Sequence, residues 1–478
     1  MTMKIKALLA GCILITGMYN NAAAQNTTQA YNLKTCIDVA QANNIPVKQN
    51  GLQVETAAIN YSSAKFSRLP NVSAGVNYGI NNGRSIDPFT NGYINQQLSS
   101  SNANLSASVP IFKGFQTQRN IEQTSLSYEA AKQEYQQEKD NLTLSVILAF
   151  LQVLNNEDVL DLTTKQAGVT QKQVERLTEM NVNGAIAPAT LSDMQGQYAT
   201  DQLSIVTAAN SLEISKLNLS QLMNIPYSKD MQVSREGVDT TVAMYAATSD
   251  QIYATALDKL SMVKAADLRV KAANKSTQIA RSGLYPTLSL SGQLSSNYSS
   301  ATRSATAISS TNVATSDYVV VNGSNSPVYT KQTSYNYSKI GYFDQYKNNF
   351  GSFIGLNLQV PIFAGLQTRH RIALAKVQEK NTSFIAENTR IQLQQSIEQA
   401  YLNTSTAFNK YKLLGDQVKA FEESFRSAEV RFNLGAINSV DYLIVKNNLD
   451  RANVNFTIAR YEYLLRTKVL DFYQGILK

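Results

Sequence analysis

The chain has 478 residues, room for two or three ordinary domains, and is 43% apolar but only 16% charged, where about 25% charged is usual for a soluble protein. Ser, Thr, Asn and Gln stand in for the missing charge. The formal charge of +8 comes without a cluster of five or six basic residues, which argues against nucleic acid as a partner.

The N-terminus reads as an export signal over residues 1–24. Lys4 and Lys6 precede the apolar run Ala7 to Met18, and Ala22-Ala23-Ala24 stands before Gln25 as a peptidase site. A competing reading takes Leu9-Ala10-Gly11-Cys12 as a lipoprotein box that leaves Cys12 acylated, although the apolar stretch before it is short. Cleavage after Ala24 removes two lysines, lowers the charge to +6 and leaves Cys36 as the only cysteine, so no internal disulfide is expected. No later stretch has 18 consecutive apolar residues, so no transmembrane helix is expected after the signal.

Past the signal, a helical pattern rich in Ala, Lys and Gln runs to Pro70. Period-two alternation follows, with Val72, Ala74, Val76 and Tyr78 on one side, then a polar loop, then a second alternation at Leu105, Ala107 and Val109. These predict strands over about 71–79 and 100–110. From Pro110 to Gly184 there is no internal proline, and seven-residue ladders (Ile121, Tyr128, Tyr135, Leu142, Ala149; Val146, Val153, Leu160, Ala167, Val174) predict one long helix over about 112–183. Gly184 marks a reversal, and a shorter helix returns from Ala189 to Asn224.

The same grammar then recurs. Val109-Pro-Ile-Phe-Lys-Gly-Phe-Gln-Thr-Gln118 returns 251 residues later as Val360-Pro-Ile-Phe-Ala-Gly-Leu-Gln-Thr-Arg369, and Gly184-Ala185-Ile186 returns as Gly435-Ala436-Ile437. Upstream the offset is 216, with Val47, Lys48, Leu52, Ala64 and Pro70 matching Val263, Lys264, Leu268, Ala280 and Pro286; the difference is a 35-residue insertion between Pro286 and Pro361. The second copy predicts strands over about 287–298 and 350–361 and a long helix over about 363–434, whose seam is Tyr411, Leu414, Val418, Phe421, Phe425, Ala428 and Phe432. A helix from Val440 to about Phe472 returns from Gly435. The organisation is 25–226 as repeat one, 227–249 as linker and 250–478 as repeat two.

In hydrocarbon every backbone group needs a partner, so strands span only as a closed barrel; four strands per chain are too few, and closure calls for several chains. The plain alternative is a soluble hairpin domain on a helical stalk. Tyr335, Tyr337, Tyr342, Phe343 and Tyr346, in the second hairpin's loop, suit an aromatic girdle or simply a loop, and the insertion there is expected to be external, as a phage or antibody target.

The duplicated helix–strand–strand–helix–helix layout, the two VPIF motifs, Arg431-Phe-Asn-Leu-Gly-Ala436 with Ser439-Val-Asp-Tyr-Leu443, and the run Leu449, Ala452, Phe456, Ala459, Tyr463 resemble the TolC-like outer-membrane efflux proteins over essentially the whole mature chain. The resemblance implies a mainly α fold with β, long antiparallel coiled-coil helices, and a homotrimer whose twelve strands form one transmembrane barrel above a periplasmic helical tunnel. It implies a passive channel component of a tripartite efflux or type I secretion system. A periplasmic adaptor and an inner-membrane RND, ABC or MFS-type pump would be partners, with outer-membrane lipid around the barrel and no cofactor. It also implies adaptor docking at the hairpin tips, here Gly184, Ala185, Gly435, Ala436, Asn438 and Ser439, and a periplasmic gate, for which Asp441 is the first candidate beside Thr190 and Asp193. Ile437 and Asn438 replace the basic residue some tips use, and Ile444 stands where a second acidic ring can occur. The plain reading of Asp441 is a helix N-cap or first-turn carboxylate. Pro110, Gly114, Pro361 and Gly365 read as hinges where barrel becomes tunnel: the proline ends a strand and the glycine frees the turn.

No chemistry-bearing constellation appears. His370 is the only histidine, with no cysteine or paired carboxylates near it, and no nucleophile elbow or phosphate loop precedes a helix. The cluster Glu157, Asp158 and Asp161 reads as a solvated or lumen-facing patch. An enzyme is not expected; the alternative to a channel is a non-conducting trimeric coiled-coil protein of the envelope, structural or adhesive.

Overall fold

A computed structural model of the chain describes residues 30–86, 91–95, 97–236 and 241–476, so the export signal and the Cys12 alternative lie outside the described residues. In chain order the elements are α1 (Leu33–Asn43), α2 (Ile45–Phe66), β1 (Asn71–Asn81), β2 (Arg84–Ile86), β3 (Tyr93–Asn95), β4 (Leu98–Lys113), α3 (Gln116–Val182) and α4 (Pro188–Met223). Then come α5 (Ser249–Lys259), α6 (Ser261–Ser282), β5 (Thr287–Ser299), β6 (Arg303–Val321), β7 (Ser324–Lys339), α7 (Tyr342–Asn348), β8 (Gly351–Gln359), α8 (Gln367–Asn433) and α9 (Ser439–Tyr473). The chain divides into two compact units: one of the residues up to Val54 with Ala131–Ala265 and Glu387 onward, the other of Glu55–Ala130 and Ala266–Ala386.

In the second unit β1, β4, β5 and β8 form a four-stranded antiparallel sheet in that order. Over its middle its register largely sorts the side chains by polarity. Val72 pairs with Ala107, Ala107 with Gly292 and Gly292 with Ile354, so these share a face, which also carries Val76, Leu105, Leu290, Leu356 and Leu358. The other face carries Ser73, Asn77, Asn104, Ser106, Ser291, Gln293 and Asn357, and there the hydroxyls of Ser73 and Ser106 lie 2.8 Å apart. Phe353 is the large apolar exception on the polar face, its ring lying where a Cβ on Gly355 would be. The apolar face is open within the chain: Val76 is 73% exposed and Ile354 77%.

Three sequence expectations change. The strand ending at Pro110 does not end there; β4 pairs with β5 as far as Lys113 through a bulge between Pro110 and Phe112. What stops is the β1–β4 ladder, last paired at Ser108, so the missing proline N–H falls where β4 has lost that neighbour. The polar loop of the second hairpin is a two-stranded ribbon of β6 and β7 followed by α7. The helical pattern before β1 and its counterpart before β5 are each divided into two helices, at Asn44 and at Leu260, both extended in backbone. Pro46 follows the first break, and the Asn44 side chain accepts from the Val47 N–H to start α2.

In the first unit the central stretch of α3 is core. Leu142, Val146, Ile147, Phe150, Leu151 and Leu154 pack with Cys36 and Ala40 of α1, Leu219 and Met223 of α4, and Tyr461 and Leu464 of α9. Among the described residues α3 is the one helix long and apolar enough to cross a membrane by length and composition, and 44% of its most apolar stretch is buried within the chain. A second cluster sets Ile252, Ala256, Leu260 and Val263 against Leu393, Ile397 and Leu470.

Asp158 is not a solvated or lumen-facing charge. Its carboxylate accepts from Tyr461 Oη at 2.7 Å, from Arg460 at 2.7 Å and from Arg235 of the segment between α4 and α5. Asp161 pairs instead with Lys165 on the exposed face of α3. Burial by itself pushes the Asp158 carboxyl up, but the hydrogen bonds from Arg235 and Tyr461 and the charges of Arg235 and Arg460 outweigh it and hold it below the ordinary carboxylate range. Such a group stabilises the fold above its unfolded pKa of about 3.9 and loses that contribution as pH falls through its folded value. Asp158→Asn is therefore expected to lower stability at pH 7 by about 1.5–3 kcal/mol, with the gap to the parent chain closing below about pH 4. Thermal unfolding in detergent at stepped pH checks both.

Candidate functional site

The strand-to-helix joints are built from a left-handed pair. Gly114 and Phe115 have φ of +59° and +65°, and Gly365 and Leu366 have φ of +55° and +61°. Two successive positive φ values turn the chain out of the strand and into a helix. The first return N–H groups follow at once, Arg119 N–H to Phe115 O and His370 N–H to Leu366 O, each at 3.0 Å. A left-handed L-residue costs roughly 1–2 kcal/mol, so Phe115 and Leu366 are held there by their surroundings. No sequence signal marked them, because only the preceding glycine advertises the conformation.

The two joints share letters and differ in environment. At the first, a Cβ on Gly114 would lie 2.7 Å from both Ser282 O and Tyr285 Cβ. Arg119 donates to Gln278 O at 3.0 Å and Ser282 Oγ at 3.3 Å, tying the first turn of α3 to the last turn of α6. At the second, a Cβ on Gly365 would meet nothing, and Ile362 is 95% exposed and Phe363 79%. Pro361 lies beyond the end of β8, and the lone His370 is exposed in the first turn of α8.

The two helical hairpin tips are near copies in backbone. Gly184 and Gly435 have φ of +68° and +71°; Ala185 N–H reaches Met180 O and Ala436 N–H reaches Arg431 O, both at 2.8 Å, while Gly184 and Gly435 donate to Asn181 O and Phe432 O at 3.0 Å. This is the paired 6→1 and 5→2 closure that satisfies the orphan carbonyls of a helix end. The returning helices start differently. Asn438 caps α9, accepting from Asp441 N–H at 2.8 Å, whereas α4 begins on Pro188 without a side-chain cap. Asp441 is exposed in the first turn of α9, and Thr190 is half-buried in the first turn of α4. Asp193 is engaged: Ser439, itself buried, donates its hydroxyl to it at 2.7 Å, joining the two tips. Beneath them Tyr442 stacks on Phe432 with centroids 4.5 Å apart, packed with Leu177 and Met194, and Ile437 lies against this cluster. Ile444 is exposed.

Next to this lies a charged cluster that sequence patterning missed. Lys446, 2% exposed, donates to Asp201 Oδ2 at 3.0 Å and to Asp450 Oδ2 at 2.5 Å. Asp201 also accepts from Thr170 Oγ1 and from Gln197 Nε2 at 2.6 Å, and Asn447 donates to Gln197 Oε1 at 3.0 Å, so α3, α4 and α9 all contribute. Burial pushes the Asp450 carboxyl above its ordinary range and the Asp201 charge adds to this, against the pull of Lys446. Lys446 falls four residues after Tyr442 on the buried stripe of α9, and that periodicity is the one signal that would have found it. A groove of about 580 Å³ runs over the cluster, with Gln166, Thr200, Ser204, Asn447 and Arg451 in its walls.

A sheet with one largely apolar open face, joined by fixed turns to helices of 67 residues, is the make-up of an envelope protein whose strands can face hydrocarbon. The family model described as "Outer membrane efflux protein" matches residues 36–224 and 252–475, and the chain belongs to that family. It is an outer-membrane protein with its helical part in the periplasm. It is 23% identical to outer membrane protein TolC of Escherichia coli strain K12 over 97% of this chain and 84% of that protein. In fold it matches a membrane protein from Pseudomonas aeruginosa with a TM-score of 0.73 at 16% identity, covering 93% of this chain and 92% of that one. It also matches the outer membrane protein VceC of Vibrio cholerae with a TM-score of 0.72 at 13% identity, covering 93% and 96%.

The unequal joints give one expected outcome. Gly114→Ala adds a clash with Ser282 O to the left-handed strain and is expected to cost more stability than Gly365→Ala, which bears the strain of about 1–2 kcal/mol alone. Comparing the melting temperatures of the two variants in detergent measures the difference. Lys446→Ala, which leaves two carboxylates facing each other without their ammonium, is expected to destabilise by about 3–5 kcal/mol, read as a lowered midpoint of denaturant unfolding.

Proposed function

We infer that three copies of this internally duplicated chain close one barrel of twelve strands and one helical tunnel, which serves as the outer-membrane conduit of a tripartite efflux or secretion system. The observation that carries this is the two-faced sheet whose end strands, β1 and β8, each have one neighbour in the chain. An apolar face of that extent needs hydrocarbon, and in hydrocarbon an unpaired strand edge costs several kcal/mol per group, so β8 of one chain pairs with β1 of the next until the ring closes. The open second joint, with Ile362 and Phe363 uncovered beside β8, lies on that same closing edge.

Substrate passes without chemistry, and energy comes from an adaptor and an inner-membrane pump of the RND, ABC or MFS type. The tips at Gly184, Ala185, Gly435, Ala436, Asn438 and Ser439 are the docking end, where the partner reads the shape of two closed turns. Asp441 is the gate charge: exposed at the start of α9, it forms a ring of three carboxylates in a trimer and favours cations. Thr190 holds the matching place in α4, and Asp193, tied to Ser439, keeps the two tips of one chain together. Pro110, Gly114, Pro361 and Gly365 fix where barrel passes into tunnel. The absent basic latch at Ile437 and Asn438 leaves closure to packing around Tyr442.

Purified oligomer in a planar bilayer tests the reading. Discrete conductance steps that prefer cations are expected, with the preference reduced several-fold in Asp441→Asn while the oligomer stays intact. A folded trimer that gives no conductance, in either form, overturns the conduit.

A further inference from the structure

The ribbon of β6 and β7 is the part of the molecule least covered by its own chain. Every described residue from Arg303 to Lys339 is exposed or nearly so. A two-stranded ribbon on its own is at best marginally stable in water. Yet its root is rigid. Gln345 of α7 pairs with both backbone groups of Ser299, its Oε1 accepting at 3.0 Å and its Nε2 donating at 3.1 Å, and Ser296 Oγ donates to Tyr346 O at 2.6 Å. At the far end Asn322 and Gly323, with φ of +52° and +84°, make a two-residue hairpin turn.

The ribbon has unlike faces. Its register places Tyr335 opposite Ala307, Tyr337 opposite Ala305, Tyr329 opposite Ala314 and Tyr318 opposite Pro327, so all four tyrosines share one face, and the rings of Tyr335 and Tyr337 lie 6.5 Å apart. The other face has no aromatic ring: it carries Ser326, Thr330, Gln332, Ser334, Asn336 and Ser338, with Val313, Val319, Val321 and Val328 toward the turn. The edges do not invite strand addition. Bulges after Ala307 and after Ala314 break one, and Pro327 and Lys331 stand on the other. What the ribbon offers is a face, and the four rings are 50–65% exposed.

We propose that the occupant of the tyrosine face is the same face of the other two copies in the trimer, the three ribbons packing together beyond the barrel mouth; this rests on the trimeric reading above. Reach allows it. At about 3.3 Å per residue the ribbon is roughly 50–60 Å long. Twelve strands about 4.8 Å apart and tilted about 40° give a barrel radius of roughly 12 Å, so the three roots stand only about 20 Å apart. At 150–250 Å² per ring and those exposures, the tyrosines remove roughly 500 Å² per chain from water. That is below the roughly 800 Å² per partner of a free-standing interface, and it suffices where the partners are already tethered. Lys331, between Tyr329 and Tyr335, adds an ammonium that a neighbouring ring attracts.

Thr333 and Ser334 are adjacent and lie on opposite faces, which makes the test internal to one strand. The parent's Cys36 is fully buried, and burial pushes its thiol up to about 12, so it gives no background. In purified trimer, oxidation is expected to link chains in Thr333→Cys and not in Ser334→Cys. Trypsin is expected to spare Lys331 in the parent and to cut there at least tenfold faster in a variant with Tyr318, Tyr329, Tyr335 and Tyr337 changed to Ser, although light scattering still reports a trimer. An intact trimer that is cut at Lys331 as fast as the variant, or that links equally through both cysteines, overturns the proposal and leaves the conduit standing. Protection that appears only when lipopolysaccharide is added also overturns it and assigns the face to that partner. A preparation that is monomeric throughout refutes the trimeric reading itself.

Discussion

Backbone polarity in hydrocarbon governs this molecule. Four strands whose apolar side chains point mostly one way leave β1 and β8 each with one neighbour in the chain, and no rearrangement within one chain removes both edges. On the proposed reading the other features serve to repeat that sheet in a ring. The duplication supplies two hairpins in one polypeptide. The left-handed pairs at Gly114-Phe115 and Gly365-Leu366 turn each hairpin's last strand into a helix with the same handed step. The difference between the two joints follows from position in the sheet: the joint after β4 is interior and sealed by Tyr285 and Arg119, while the joint after β8 stands at the edge.

In the helical unit the packing is largely apolar core, and two charged clusters to which α9 contributes stand out in it. At Asp158 three donors surround one carboxylate and fasten the segment between α4 and α5 to α3. At Lys446 one ammonium serves two carboxylates. Replacing such clusters with apolar residues of like volume is often neutral or stabilising, so their presence speaks for fixing which helices meet and in what register, more than for stability alone.

Much of this was legible in the sequence because two periodicities carry it. Alternation at Val72, Ala74, Val76 and Tyr78 gives the face of β1, and the absence of proline from 111 to 183 gives the extent of α3. Where the reading failed, the cause was local or long-range in a way periodicity does not record. Pro110 withholds a donor, but whether that ends a strand depends on which neighbour still pairs there. Phe115 and Leu366 carry no mark of positive φ. Ser, Thr and Tyr between 303 and 339 look like loop composition, since the ribbon buries neither face within its own chain and its tyrosines are spaced too widely to read as alternation. Asp158 and Asp201 look like any helix-surface acid until Arg235, Arg460 and Lys446 arrive from far along the chain.

The clasp of α7 has a consequence for how such chains diversify. Gln345 and Asn349 hold the end of β5 through backbone groups of Ser299 and Asn297, the Ser296 hydroxyl donates to the Tyr346 carbonyl, and the hydroxyls of Tyr346 and Tyr342 reach Ser101 on β4. The wall is thereby closed off from whatever is inserted before α7. The ribbon between 303 and 339 is a cassette: its length and its outer surface are set apart from the pairing of β5 with β8 on which it stands.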